Sequence, residues 1–112
     1  MIVENRPVKT KYFELSESYD KDRYENPDRD PSQIVAHYSV ESANPKLERK
    51  FGFELVAVAH NGPYAFVSIT AGGKSKGWDP GMLNEFVDLM NDAFEFKEKA
   101  EEYFRSQGFE IR

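Results

Sequence analysis

Residues 79–108 read DPGMLNEFVDLMNDAFEFKEKAEEYFRSQG, and the spacing within this stretch decides the fold. Asp79 can accept from the first free backbone amides of a helix, and Pro80 suits the first helical position, where no amide hydrogen is needed. Gly108 supplies a left-handed stop. Between them Met82, Leu83, Phe86, Val87, Leu89, Met90, Ala93, Phe94, Phe96, Ala100, Tyr103 and Phe104 recur at three- and four-residue intervals, which predicts one long amphipathic helix. At about 100° per residue the apolar positions sweep roughly 200°, twice a minimal core-facing stripe. Leu83, Val87 and Phe94 lie toward one edge of the sweep; Leu89, Phe96 and Tyr103 lie toward the other. So wide a stripe predicts that one edge wraps a sheet and the other, Leu89, Phe96 and Tyr103, meets a partner. The competing expectation is a helix curved or broken near 91–96 and buried by the chain's own loops.

The polar side of the same helix carries Glu85, Asp88, Asp92, Glu95 and Glu102, relieved by Lys99. Acids early and Lys99 and Arg105 late suit the helix dipole, so a solvated face accounts for most of the ridge. Glu95 and Glu102 extend the candidate partner surface, as do Tyr19 and Tyr24 from an upstream polar segment. Lys97 falls inside the apolar sweep, where it either snorkels or marks an irregular point.

Working back toward the amino terminus, residues 53–59 and 64–71 flank Asn61-Gly62, a strong hairpin signal. Pro63 lacks the amide needed to close a two-residue turn, so a four-residue loop at 60–63 is expected, with Ala59 opposite Tyr64 and Ala57 opposite Phe66. That register puts Phe53, Leu55, Ala57, Tyr64 and Phe66 on one face and Val56, Val58, Ala65, Val67 and Ile69 on the other. Both faces are then apolar, a pattern that, with the wide helical stripe, predicts self-association. Residues 34–41 alternate cleanly as a half-buried strand, and 8–15 read as a first strand. Asn44-Pro45 and the residues to Gly52 suggest a capped helical turn. Residues 16–33, SESYDKDRYENPDRDPSQ, read as a long polar loop.

Composition fits a single domain spanning residues 1–112. Hydrophobic residues make up only 39%, but aromatics reach 14%, so the core should be rich in Phe and Tyr. Without cysteine there is neither a disulfide nor a thiolate metal site. No leader or membrane-length apolar segment is apparent, which predicts a cytoplasmic protein with no membrane partner. The formal charge of -5 disfavours general nucleic-acid binding.

No chemistry stands out. His37 and His60 have no neighbours at ligand spacing. The acidic run Asp20, Asp22, Glu25, Asp28 and Asp30 fails the calcium-loop pattern, because Tyr24 and Glu25 stand where an oxygen ligand and a glycine belong. Gly72-Gly73-Lys74-Ser75 resembles the end of a phosphate loop, but Ser68 stands where its first glycine should be. Lys74, Lys76 and Trp78 remain a weak anion or nucleic-acid site. The expectation is thus an α+β domain, a four-stranded antiparallel sheet packed on a long carboxy-terminal helix in the order ββββα. Its expected function is that of a small acidic, non-enzymatic interaction protein, a homodimer acting as an inhibitor or adaptor on a protein partner, without metal or cofactor. The alternatives are a small-molecule binder or enzyme with Tyr12, Tyr38, His37 or His60 in a pocket between sheet and helix, and nucleic-acid binding through 72–78.

Overall fold

The computed structural model describes residues 1–25, 28, 36–43, 45–59, 64–71 and 79–112. The chain is α+β, with β1 (Ile2–Lys9), β2 (Phe13–Asp20), α1 (Lys21–Tyr24), β3 (Ala36–Ser42), α2 (Pro45–Phe51), β4 (Phe53–Ala59), β5 (Tyr64–Ala71), α3 (Pro80–Ser106) and β6 (Glu110–Ile111). The expected single four-stranded sheet is instead two three-stranded sheets, ordered β1-β2-β3 and β4-β5-β6. β3 runs alongside β4, and α3 touches β1 and β2 on one side and β5 and β6 on the other.

α3 forms as its ends dictate. The Asp79 side chain accepts from the Met82 amide at 2.8 Å, Pro80 opens the first turn, and Gly108 takes φ 92° beyond the cap residue Gln107. Its 27 residues span about 40 Å without interruption. The buried face is Leu89, Asp92, Ala93, Phe96, Ala100 and Phe104. Phe13 joins three layers, its ring centroid 5.8 Å from Phe96 of the helix and 5.6 Å from Phe53 of β4. Farther along, Phe104 meets Tyr38 edge-on at 4.9 Å and Phe109 at 5.8 Å.

Three expectations change. The stretch at 8–15 holds the end of β1, a turn at 10–12 and the start of β2: the Thr10 amide donates to the Phe13 carbonyl at 2.8 Å, and β1 and β2 pair antiparallel on either side. Residues 16–20 belong to β2 and 21–24 to α1, so the polar loop expected at 16–33 begins later; residues 26, 27 and 29–35 lie outside the described residues. Polar composition hid this strand because its outward face is Glu14, Ser16 and Ser18, while Phe13, Leu15 and Glu17 point inward. The third change is register. Ala59 faces Ala65 and Ala57 faces Val67, one residue from the expected pairing, and a one-residue slip moves a whole strand's side chains to the other face. The inner face is therefore Phe53, Leu55, Ala57, Ala65 and Val67, all buried. After the helix, β6 pairs parallel to β5.

β1 carries a bulge. Asn5 pairs with Glu17 and Val8 with Leu15, which leaves Arg6 and Pro7 opposite the single residue Ser16. Glu14 and Glu41 face each other across β2 and β3, and Arg6 reaches Glu41 at 2.9 Å. The bulge thus turns a guanidinium onto two like charges.

Asp92 fixes the helix to the first turn. Its carboxylate, only 7% exposed, accepts from the Thr10 hydroxyl at 2.7 Å and from the amides of Lys11 and Tyr12 at 3.0 and 2.9 Å. Removing it leaves three donors without their charged acceptor, so Asp92→Ala should lower the unfolding free energy by about 2–4 kcal/mol, and Asp92→Asn by less. Urea titration measures this; a loss below about 0.5 kcal/mol would show that the turn stands without the carboxylate.

Candidate functional site

Alternation along β2 puts Glu17 on the inward face, behind Phe13 and Leu15. A carboxylate buried to 7% exposure is costly unless it is hydrogen-bonded. Three donors meet it: Asn5 Nδ2 on β1 at 3.2 Å, the Tyr38 hydroxyl on β3 at 2.9 Å and the Tyr103 hydroxyl on α3 at 2.7 Å. One side chain therefore ties two neighbouring strands to the carboxy-terminal half of the helix.

Beside this network an open groove of about 460 Å³ runs between β1 and α3, lined by Pro7, Val8, Lys9, Lys99, Glu102, Tyr103 and Ser106. Tyr103 belongs to both, its hydroxyl on Glu17 and its body in the groove wall. The wall is thus held by a buried anchor. Lys99 pairs with Glu95 one turn earlier at 3.1 Å, whereas among the described residues neither Lys9 nor Glu102 has an ion-pair partner. The groove offers both signs of charge around an aromatic and an aliphatic wall.

At the other end of the same helix flank, the half-exposed Asp88 accepts from Lys11 Nζ at 2.8 Å and from the Tyr12 hydroxyl. These two bonds, Lys11's the stronger influence, hold the Asp88 carboxyl below its usual 3.8. Asp88 in turn raises Lys11, and with desolvation it raises the Tyr12 phenol.

The residues expected to meet a partner scatter. Leu89 and Phe96 are core, 1% and 0% exposed, so the helix edge given to a partner is reversed: Leu83, Val87 and Phe94 are the exposed ones. The reason is Asp92 and Phe13, which draw the 92–96 side inward. Glu102 and Tyr103 line the groove, and Glu95 flanks it through Lys99. Tyr19 is half-buried on β2, opposite Val3 and Ala36. Tyr24 closes α1, and its side chain lies outside the described residues. Lys74, Lys76, Trp78 and His60 lie outside them too. His37 is exposed on the outer side of β3, away from Tyr12. Reading residues 16–20 as loop hid Glu17; its alternation with Phe13 and Leu15 was the available signal.

Among the described residues no three His, Cys, Asp or Glu side chains are grouped to hold a metal, and no helix is long and apolar enough to cross a membrane. Comparison with protein-family models, with curated proteins and with solved structures returns no match.

Because the Asp88 value is depressed in the folded state, its contribution to stability is present above the usual 3.8 and disappears as pH falls through the folded-state value. The stability difference between the wild type and Asp88→Asn should therefore stay level from about pH 6 to about pH 5 and shrink as pH falls further toward 2. Salt should shrink it as well, since the pair is exposed. A difference that grows on acidification would overturn the assignment.

Proposed function

We propose that this chain is a non-enzymatic interaction protein that takes a segment of a protein partner into the groove between β1 and α3. The observation that carries this is the groove itself, in which Lys9 and Glu102 stand around a Tyr103 wall anchored on Glu17. A preformed wall lowers the ordering cost of binding, and aromatic side chains are enriched at such contacts. Among the described residues the two most buried carboxylates, Glu17 and Asp92, are each engaged by the chain's own donors, which supports structural roles for them. The volume also suits a small ligand; the solvent-facing charges favour a larger, polar partner. An adaptor or inhibitor role follows from such capture.

Peptides selected from a random displayed library against the immobilised protein should shift the amide resonances of residues 7–9 and 99–106. Glu102→Lys should weaken the selected binders by about tenfold, the size of a contact worth about 1.4 kcal/mol, with the melting temperature unchanged. Binders that shift other residues, or that ignore Glu102→Lys, would remove the groove from the function.

A further inference from the structure

Glu17 divides its two oxygens between the two sides of the groove. Oε1 accepts from Asn5 Nδ2 of β1, and Oε2 accepts from the Tyr103 hydroxyl of α3 and the Tyr38 hydroxyl of β3. Asn5 stands directly across the ladder from Glu17, immediately before the bulge that brings Pro7 into the lining. Two of the three donors therefore belong to the elements that form the walls, and the third belongs to a strand that contributes nothing to the lining. Glu17 itself is buried and lies outside the lining.

A second carboxylate ties the same two elements together elsewhere. Asp92 of α3 accepts from Thr10, Lys11 and Tyr12 in the turn that follows β1. From Asn5 to Thr10 the chain spans at most about 16 Å of extended strand. From Asp92 to Tyr103 the helix rises about 16 Å. The two ties are thus comparably spaced on strand and helix, which run in opposite directions. Pro7, Val8 and Lys9 fall between the ties on β1, and Lys99 and Glu102 fall between them on α3. Hydrogen bonds to a buried carboxylate are strong and geometrically specific, so the walls are held at a set separation.

We infer that Glu17 is the positioning residue of this groove: it fixes the spacing of β1 and α3 and the orientation of the Tyr103 ring, and so sets the affinity for a bound segment without touching it. The inference rests on the groove being the ligand site. With the ties released, the Tyr103 ring and the β1 wall must be ordered when a ligand enters, and that ordering subtracts from affinity. Tyr38 supplies the control, because its hydroxyl bonds the same Glu17 oxygen from outside the groove.

The experiment uses groove-binding peptides selected from the displayed library and the full chain. Tyr103→Phe and Asn5→Ala should each weaken those peptides by about fivefold, within the cost of ordering one or two side chains at an interface. Asn5 is exposed, so Asn5→Ala serves if Tyr103→Phe does not fold. Tyr38→Phe should change affinity by less than about twofold, although it also loses a hydrogen bond to a charged acceptor and some stability. In the ligand-free protein, β-proton couplings at position 103 should report one side-chain rotamer in the wild type and in Tyr38→Phe, and averaged rotamers in Tyr103→Phe. A single rotamer in Tyr103→Phe would overturn the inference alone, since packing would then hold the ring. Equal weakening by Tyr38→Phe would overturn it too, because affinity would follow stability. A library that yields no peptide shifting residues 7–9 and 99–106 would instead overturn the reading of the groove, and the inference with it.

Discussion

A turn of three residues hangs on one carboxylate. Thr10, Lys11 and Tyr12 present a hydroxyl and two amides, and Asp92 receives all three. Because Asp92 must face the turn, the rotation of α3 about its axis is settled. Ala93, Phe96, Ala100 and Phe104 follow into the core, Phe13 lands between Phe96 and Phe53, and Leu83, Val87 and Phe94 are carried outward. Charge-assisted hydrogen bonds are directional as apolar contacts are not, so the polar contact picks the face and the hydrophobic ones fill it.

The same logic explains what could be read in the chain beforehand. Helix α3 was legible because Asp79, Pro80 and Gly108 punctuate a long 3.6-residue repeat, and its interior needed no tertiary information. Its buried face was not. Twelve apolar or aromatic choices leave a broad arc, and the residue that decides within the arc is an aspartate that any hydropathy count places on the solvent side. Strand β2 was lost in a similar way: Ser16, Glu17 and Ser18 look like loop until Tyr38 and Tyr103 are known to stand over Glu17. In the second hairpin, Asn61-Gly62 marked the reversal but could not fix pairing to one residue, and register alone decides which of two apolar faces is inside. The groove was legible only in Glu102 and Tyr103, since Pro7 and Lys9 reach it through a strand that the sequence did not separate from its neighbour.

Both sides of α3 thus have distinct chemistry. Toward β1 the helix is pinned by Asp88, Asp92 and Tyr103, leaving a rigid, charged groove. Away from β1 the same helix carries the exposed Leu83, Val87 and Phe94.

The clamp at Asp92 also sets an order of events during synthesis. Its acceptor lies 80 residues downstream of the Tyr12 amide that it binds. At about 5–20 residues per second, the turn waits roughly 4–16 s for that carboxylate to be made. Until then β1 and β2 have each other, β3 and the Phe53 ring of β4, with Leu15 and Phe13 lacking the helix that covers them. Vectorial folding therefore completes the first sheet's packing last, when the carboxy-terminal helix has emerged, and a ribosome that stalls before Asp92 would hold an amino-terminal hairpin with an unfinished turn.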